Sequence, residues 1–253
     1  MLAIAFGCHR DRAPLIARRI DPTRYRPAFA PLDAIDLSRF AAAIPIELAH
    51  YDELARAALP MRRIAIVPDP ALVDLCDDKL ACARHLIAIG FGAHVPEIFE
   101  ERPAFDHIEK PRRGEFGRGC RVVSAGSGRG GQAAPGGFFQ ALVPGDEEFA
   151  LHLLRAGGRL RFARLVRYQM PDAHSVRSAD CRPRDATFVD PRPALALFAR
   201  LLDALSYEGT CCINYKLQEG RPMILEINPR IGSSLCYDIT AYVDAYVGAL
   251  EGL

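Results

Sequence analysis

Polar residues occupy alternate positions in the stretch MILEINPRIGSS, which runs from Met223 to Ser234. Glu226, Asn228 and Arg230 come directly after an apolar run that is typical of a buried strand. Because strand side chains alternate between two faces, Glu226 and Asn228 share one face. Pro229 disfavours a helical continuation, which keeps Arg230 near that face. Two explanations are open: a solvated strand end, or a site for a metal ion and a phosphate group.

A further polar residue faces this group across a predicted hairpin. The stretch TCCINYKLQEGRPMILEIN predicts two strands joined by a turn around Gln218–Arg221. With the turn there, Asn214 lies beside Glu226 on the neighbouring strand. Together with Asn228, these side chains suit Mg²⁺, which keeps water and substrate phosphate oxygens at its remaining positions. Arg230 would then lie close enough to hold the phosphate that is transferred.

A lysine beside a glycine-rich turn is a second candidate for phosphate binding. In IEKPRRGEFGRGCRVV, Lys110 ends one predicted strand, and Gly114, Gly117 and Gly119 precede the next. Backbone N–H groups can approach an anion where no side chain intervenes, and the ammonium group adds charge. The motif is not a P-loop, because the G-x-x-x-x-G-K-[ST] pattern and the following helix are missing. These residues alone leave open whether the glycines bind phosphate or only shape a hairpin turn.

Two other features have competing explanations. The glycine-rich stretch Ala125–Gly137 has no acidic or hydroxyl metal ligand at useful spacing, and we interpret it as a surface loop. Lys79 follows Asp78 early in a predicted helix, where an acidic residue suits the helix dipole and a cation does not. That mismatch slightly favours an anionic partner for Lys79.

The N-terminal part of the sequence predicts a small α/β unit. Short apolar runs at Leu2–Gly7 and Arg63–Asp69 end in turn residues, as buried strands do. Phe40–His50 predicts a strand and a loop, and Tyr51–Leu59 predicts a helix. A longer helix is predicted from about Pro70 to Gly90. This alternation of strands and helices favours a parallel sheet.

The remainder of the sequence predicts strands and hairpins around one amphipathic helix. Strands are expected in AHVPEIFEERPA and FDHIEKP, and two strand-like runs, Phe138–Leu154 and Arg159–Met170, are separated by RAGG. A polar loop, Pro171–Asp185, precedes a helix over Pro191–Gly209, which has proline near its start and glycine after its end. The hairpin that contains Asn214 and Glu226 follows this helix.

Composition limits the classes of function. The chain has 253 residues and a formal net charge of +1, so nothing points to nucleic acid or to an acidic membrane surface. Its apolar runs are too short to span a membrane, and the N-terminus lacks the pattern of a signal peptide. The eight cysteines form no C-x-x-C pair and the histidines are scattered, so no zinc site is predicted. We expect a cytoplasmic protein with reduced thiols.

The order of these motifs resembles that of the ATP-grasp superfamily. The resemblance covers roughly Val73–Leu235, and EINPR is its most specific element. It implies an α/β and α+β protein with the ATP-grasp fold and a shortened N-terminal α/β domain. The expected divisions are an N-terminal domain over residues 1–74, a small ATP-grasp subdomain over 75–138 and a C-terminal subdomain over 139–253.

The resemblance also implies ATP and Mg²⁺ as cofactors and gives individual residues roles. The matching residues are Lys79, Lys110, Gly114, Gly117 and Gly119 for the phosphates, Gln140, Ala141 and Leu142 for a hinge at the adenine, Glu147 or Glu148 for the ribose, and Asn214, Glu226 and Asn228 for the metal. Glu148 is preferred for the ribose because it directly precedes an apolar strand. Arg230 would contact the transferring phosphate or an acyl phosphate.

Three departures from the family pattern affect this assignment. Position 214 is usually acidic in the family, so Asn214 puts a second metal ion in doubt. Gln140 stands where a glutamate is common, which is a mild change. The stretch Ala125–Gly137 replaces a helix, so the small subdomain is expected to be reduced.

The implied activity is that of an ATP-dependent carboxylate–amine ligase that forms an acyl phosphate and releases ADP and phosphate. Lys110 and Arg230 would support the phosphoryl step by position and charge. Arg167, which lies near the end of a predicted strand next to a basic loop, is the candidate for holding the substrate carboxylate. A solvated basic face explains an arginine at this position equally well. The expected partners are a small carboxylate and an amine, such as an amino acid or a peptide, and a homodimer is left open.

A second class of function is a degenerate ATP-grasp protein that binds nucleotide as a scaffold or regulator without ligase turnover. Asn214 and the shortened N-terminal domain favour it, and the retained lysines and EINPR motif argue against it. A Rossmann-type oxidoreductase is set aside, because only Gly7 follows the first predicted strand.

Overall fold

The computed structural model describes residues 1–57, 64–115, 117–127, 130–178 and 180–252. Within these ranges the chain forms three β-sheets with helices packed against them. No helix in the described part of the chain has the length and apolar character needed to cross a lipid bilayer.

The first sheet is parallel and lies at the N-terminus. It contains β1 (Leu2–Phe6), β2 (Tyr25–Phe29) and β3 (Ala42–Ile44) in the order β2-β1-β3. Helix α1 (Arg12–Arg19) follows β1, and α2 (Ala49–Arg56) follows β3. The predicted parallel α/β unit is therefore confirmed, while the predicted end of the second helix at Leu59 lies outside the described residues.

The strand predicted over Arg63–Asp69 is wrong for the part of it that is described. Ala43 N donates to the Ile64 carbonyl, but no ladder follows. Instead, the Tyr246 hydroxyl accepts from Ile66 N at 2.7 Å and lies 3.3 Å from the Ala43 carbonyl oxygen. The Tyr246 hydroxyl thus takes the place of the backbone partner that a neighbouring strand would provide. The apolar residues of the predicted strand do not indicate this side-chain partner.

The single helix predicted from Pro70 to Gly90 is divided. The observed elements are α3 (Pro70–Asp77), α4 (Lys79–Leu86), a π-helical turn (Ile87–Phe91) and a 3-10 turn (Gly92–His94). The division sets Lys79 at the start of its own helix.

Asp78 causes the break between α3 and α4. Its backbone leaves the helical region at φ −86° and ψ 96°, and its carboxylate accepts from the N–H of Ala81, which caps α4. Arg112 Nε also donates to this carboxylate at 2.9 Å. The cap and the ion pair together outweigh the continuous helical pattern of the sequence.

The second sheet is small and antiparallel. It contains β4 (Ile98–Phe99), β5 (His107–Pro111), β6 (Arg121–Val123) and β7 (Gly137–Ala141) in the order β4-β7-β5-β6. As predicted, β5 and β6 flank the glycine-rich turn and pair with each other. β7 pairs with β4 and β5, so the small sheet continues past residue 138, where the sequence suggested a division.

The third and largest sheet contains five antiparallel strands. They are β8 (Glu147–Ala156), β9 (Arg159–Gln169), β10 (Asp185–Val189), β11 (Gly209–Gln218) and β12 (Arg221–Asn228), in the order β10-β9-β8-β11-β12. Helix α5 (Arg192–Ala204) precedes β11, and a 3-10 segment (Ser233–Asp238) and α6 (Ile239–Glu251) follow β12. Both predicted hairpins are confirmed, whereas the run predicted over Phe138–Leu154 divides between β7 and β8, which lie in different sheets.

The two faces of the large sheet have different environments. Phe149, Leu151 and Leu153 of β8 pack with Phe198 of α5 in one core cluster. Side chains alternate along a strand, so Glu148 and the other even-numbered residues of this part of β8 face the opposite side. That opposite face forms the floor of the site described next.

Candidate active site

A cavity of about 480 Å³ lies between the inner face of the large sheet and the small sheet. The residues that the sequence singled out and that line this cavity are Lys79, Lys110, Gly117, Ala141, Leu142, Glu148, Asn214, Glu226, Asn228 and Arg230. Five other candidates are not among the described lining residues: Gly114, Gly119, Gln140, Glu147 and Arg167. One end of the cavity is apolar, with Ile108, Val143 and Leu225 beside Ala141 and Leu142.

Positive charge predominates on the cavity wall. The cationic lining residues are Lys79, Lys110, Arg118, Arg177, Arg182, Lys216 and Arg230. They face the carboxylates of Asp11, Glu148 and Glu226. An excess of cations in a concave, partly desolvated site favours a polyanionic ligand.

The carboxylate and amide group at the cavity floor has the predicted arrangement. Asn214 pairs with Glu226 across the hairpin, and its Nδ2 donates to Glu226 Oε1 at 2.6 Å. Burial opposes ionisation of Glu226, but the Lys79 ammonium group and the amides of Asn228 and Asn214 outweigh it and hold the pKa of this carboxyl below its usual value. Glu226 is therefore an anion with amide neighbours, and these partners, together with its partly buried side chain, distinguish it from a solvated strand end.

The two predicted lysines approach this group from different elements. Lys79, at the start of α4, donates from Nζ to the Gly114 carbonyl at 2.6 Å and lies 3.7 Å from Glu226 Oε2. Lys110, at the end of β5, is buried and donates to Gln140 Oε1 at 2.8 Å. Burial lowers the pKa of Lys110. The mismatch of Lys79 with its helix is thus explained by an anionic neighbour on the large sheet.

The glycine-rich turn uses the conformational freedom of its glycines. Gly114, Gly117 and Gly119 have φ values of 127°, 63° and 76°, which favour glycine. A Cβ atom on Gly117 would lie 2.3 Å from the carbonyl oxygen of Arg177, so the turn packs directly on the loop after β9. Phe116 of this turn lies outside the described residues.

The three predicted hinge residues, Gln140, Ala141 and Leu142, lie in two different environments. Ala141 and Leu142 line the cavity, whereas Gln140 is buried and holds the Lys110 ammonium group. The Gln140 amide also donates to the Pro96 carbonyl at 3.0 Å. Gln140 therefore positions Lys110 instead of facing a ligand.

Glu148 and Glu147 point in different directions. Glu148 lines the cavity and accepts from Arg177 Nε at 2.7 Å. Glu147 is outside the cavity and lies 3.4 Å from Arg167 Nη1. Of the two candidates for the ribose, only Glu148 lines the cavity.

The structure places Arg167 away from the cavity, contrary to its expected role. Arg167 pairs in register with Phe149, which packs in the core on the other face of the sheet, while the next residue, Tyr168, faces the cavity. The side chain of Arg167 therefore points away from any substrate bound there. Arg177 and Arg182 of the following polar loop line the cavity instead.

Arg230 lies at the centre of a polar network. Its guanidinium donates to Glu115 Oε1 at 2.8 Å, to Asn228 Oδ1 at 3.2 Å and to the Ile231 carbonyl at 3.1 Å. Sequence reasoning missed Glu115, because acidic residues in a glycine-rich turn are expected to be solvated. It also missed Tyr168, Lys216 and Ser234, which line the cavity and carry no motif.

The donor set fits Mg²⁺ bound together with a phosphate ligand. One carboxylate, Glu226, and the amide oxygens of Asn214 and Asn228 lie on neighbouring strands, and oxygen donors suit this ion. Among the described residues no group of three His, Cys, Asp or Glu side chains could hold a metal by itself. The arrangement therefore suits an ion that takes part of its coordination from phosphate and water.

Comparisons with known proteins identify the fold. No protein-family model matches the sequence, and no curated protein matches it. Among solved structures, D-alanine–D-alanine ligase from Bacillus anthracis is similar with a TM-score of 0.62 and 12% identity, over 99% of this chain and 97% of that one. The same ligase complexed with ATP has a TM-score of 0.58 at 11% identity, with the same coverage.

Two further solved structures have the same architecture. An ATP-grasp RimK domain protein from Sphaerobacter thermophilus has a TM-score of 0.57 and 16% identity, over 98% of this chain and 99% of that one. L-amino acid ligase from Bacillus licheniformis has a TM-score of 0.55 and 15% identity, over 99% of this chain and 74% of that one. The chain therefore has the ATP-grasp fold with a shortened N-terminal α/β domain, as its motifs implied.

Proposed function

We propose that the chain is an ATP-dependent ligase that joins a carboxylate to an amine through an acyl phosphate and releases ADP and phosphate. The observation that carries this proposal is the convergence of Lys79 and Arg230 on the Glu226–Asn228 group at the floor of one cationic cavity. Similarity to two amino acid ligases of the same fold supports the type of reaction.

The cavity supports a definite orientation for the nucleotide. Its apolar end, with Ala141 and Leu142, suits adenine, and Glu148 suits the ribose hydroxyls. Lys79, Lys110 and the N–H groups of the glycine-rich turn suit the phosphates. Asn214, Glu226 and Asn228 would hold Mg²⁺, which supplies neutralisation of phosphate charge.

The chemistry that this chain must support is phosphoryl transfer between two anions. A substrate carboxylate oxygen attacks the terminal phosphorus of ATP, the bond to the bridging oxygen breaks, and ADP leaves. The amine then attacks the acyl carbon, the bond between that carbon and the phosphate oxygen breaks, and phosphate leaves with the proton that the amine loses. Lys110 and Arg230 stabilise the charge on the transferring group. The main barrier to the reaction is the repulsion between the carboxylate and the phosphates, and the cationic cavity lowers this barrier by holding both anions together.

We assign the substrate carboxylate to Arg177 and Arg182. Both belong to the basic loop that the sequence suggested, and both line the cavity, whereas Arg167 does not. Arg177 has a partner in Glu148, so a nucleotide ribose that binds Glu148 would free this guanidinium for an acidic substrate. Binding of nucleotide before acid follows from this arrangement.

Calorimetric titration of Mg-ATP into the wild type and into Glu226→Ala tests the proposal. We expect binding to the wild type and at least a tenfold loss in the variant, because the ionised carboxylate at the phosphate end is removed. Glu147→Ala is the matched control, since Glu147 lies outside the cavity and should bind Mg-ATP normally. Equal binding by wild type and Glu226→Ala would contradict the assignment of the site.

A screen for ADP release then separates a ligase from a scaffold. Amino acids and small carboxylic acids, each with and without an amine, are incubated with Mg-ATP, and ADP is measured. Release that depends on both substrates supports the ligase. Tight Mg-ATP binding without ADP release from any pair of substrates supports a nucleotide-binding scaffold. Two structural features also favour the scaffold: the proposed metal site has a single carboxylate, and Glu115 neutralises Arg230.

A further inference from the structure

Lysine is rare in this chain and is confined to the cavity. Of the 32 lysine and arginine residues only three are lysines, and all three line the cavity. Lys79 and Lys110 lie at the phosphate end, whereas Lys216 of β11 belongs to no motif. Lysine presents a compact ammonium group where arginine presents a planar fork. Its restriction to one cavity favours a ligand contact for Lys216 as well.

Lys216 lies opposite Glu148 on the cavity floor. Tyr215 pairs with Phe149 in the ladder between β11 and β8, and their rings stack at 5.0 Å in the core on the other face of the sheet. Because neighbouring residues of a strand alternate between faces, Lys216 and Glu148 both project into the cavity, which they line. Side chains that face each other across an antiparallel pair are close enough to contact one ligand.

No carboxylate neutralises the Lys216 ammonium group within the described part of the chain. The residue is buried, with an exposed fraction of 4%. Its Nζ donates to the Gly145 carbonyl at 2.8 Å and to the Ser175 carbonyl at 3.4 Å, and both acceptors are neutral. Arg177, in contrast, forms an ion pair with Glu148 at 2.7 Å. An ammonium group has three N–H donors, so one donor of Lys216 remains for a ligand.

The pairing of a donor with an acceptor indicates the chemistry of that ligand. Along β11, Lys216 lies two residues from Asn214, which is about 7 Å from the metal group at the spacing of an extended strand. A hydroxyl group accepts from an ammonium group and donates to a carboxylate, so a vicinal diol satisfies both Lys216 and Glu148. A ligand carboxylate at this place would face the charge of Glu148, and a ligand amine would face that of Lys216.

We propose that Lys216 is a specificity-determining residue that donates to a ribose hydroxyl beside Glu148, so that the chain selects ribonucleotides over deoxyribonucleotides. This assignment rests on the proposed function, because it takes ATP as the ligand. A nucleotide that lacks the hydroxyl leaves a buried N–H group of Lys216 without an acceptor. A site built to hydrogen-bond a hydroxyl group discriminates strongly against an analogue that lacks it.

Calorimetric titration with the magnesium complexes of ATP, 2′-deoxy-ATP and 3′-deoxy-ATP tests this assignment in the wild type and in Lys216→Met. We expect one analogue to bind the wild type at least tenfold more weakly than ATP, and this ratio to fall about tenfold in Lys216→Met. The ratio compares nucleotides on the same protein, so a uniform loss of affinity cancels. Arg221→Met removes an exposed cation of the same hairpin and should keep the wild-type ratio. Equal ratios in the wild type and Lys216→Met would overturn the assignment.

A measurement on the wild type covers the case in which Lys216→Met does not fold. Protein labelled with ¹³C at the lysine Cε atoms has only three labelled side chains, and Lys79→Arg and Lys110→Arg assign their signals by elimination. At saturation, we expect ATP to shift the Lys216 signal further than the weakly binding analogue does. Equal shifts for ATP and both analogues would overturn the assignment.

These outcomes separate this assignment from the proposed function. Normal binding of Mg-ATP with equal ratios would overturn the role of Lys216 and leave the nucleotide site intact. Absence of Mg-ATP binding by the wild type would overturn both. Binding is measured without turnover, so a chain that binds nucleotide but lacks ligase activity would still show the expected change in ratio.

Discussion

Arg230 Nε donates to a carboxylate oxygen of Glu115 at 2.8 Å, so an acidic side chain of the glycine-rich turn neutralises the arginine that we assign to the transferring phosphate. Side-chain exposure is 7% for Arg230 and 31% for Glu115. A charge-assisted hydrogen bond that is partly shielded from water is stronger than an exposed ion pair. A phosphate group that binds Arg230 therefore has to compete with Glu115.

Glu115→Gln should bind Mg-ATP more tightly than the wild type, by roughly threefold to tenfold, because the competing charge is removed while the shape of the side chain is kept. Calorimetric titration measures this change. The gain should shrink as salt concentration rises, since screening weakens the pair in the wild type. Glu147→Gln, which alters an ion pair outside the cavity, should leave the affinity unchanged. Weaker binding by a stably folded Glu115→Gln would show that Glu115 assists the nucleotide instead of competing with it.

The Tyr246 hydroxyl joins α6 to the backbone beside β3, and its removal should affect stability alone. Tyr246→Phe leaves the N–H of Ile66 buried without an acceptor, which costs about 1–3 kcal/mol of the free energy of unfolding. Urea denaturation measures this loss, and Mg-ATP affinity should be unchanged. Tyr237→Phe is the control, because Tyr237 is 53% exposed and its hydroxyl should contribute within about 0.5 kcal/mol. Equal stabilities for the two variants would contradict the structural role of Tyr246.

The features that sequence predicted well are local ones. The turn at Glu219 and Gly220 sets the register of the final hairpin as far as Tyr215. An irregularity between Asn214 and Tyr215 then shifts the register by one residue and brings Asn214 opposite Glu226, which the turn alone would not do. The approach of Lys79 to Glu226 joins residues far apart in sequence. The resemblance to a known fold implied only that both residues belong to one ATP site, and residue spacing did not predict their contact. Local periodicity contains no information about which strands become neighbours.

Features that depend on long-range packing could not be predicted. Alternation shows that Arg167 and Tyr168 face opposite sides of β9, but only the packing of α5 against the Phe149 face decides which side is the cavity. In the same way, Asp78 divides a continuous helical pattern because Arg112, on another element, binds its carboxylate. Sequence reasoning fails at these places because one distant partner outweighs a local preference.

His152 should make the protein less stable as the pH falls. Its pKa is about 3 in the folded chain against an ordinary value of 6.5, so the unfolded chain takes up the proton first. The free energy of unfolding should therefore decrease as the pH falls from 6.5 towards 3, by up to about 1.4 kcal/mol per pH unit. His152→Gln should lack this contribution, which urea denaturation of both proteins between these limits would reveal as a difference in slope. Parallel profiles for the wild type and His152→Gln would show that the folded chain protonates His152 as readily as the unfolded chain does.

Asn214→Asp should make folding depend on Mg²⁺. Asn214 Nδ2 donates to Glu226 at 2.6 Å, and aspartate would replace this bond with two adjacent carboxylates. Without metal, we expect the free energy of unfolding to fall by about 1–3 kcal/mol, since a favourable bond is lost and like charges are brought together. Added Mg²⁺ should restore stability, because a second carboxylate strengthens an oxygen site for a hard cation. Thermal unfolding over a range of Mg²⁺ concentrations measures this effect, with Asn214→Ala as the control that loses the bond without gaining charge. If the two variants respond equally to Mg²⁺, residue 214 does not face a metal, and the ion would have to be held by Glu226 and Asn228 alone.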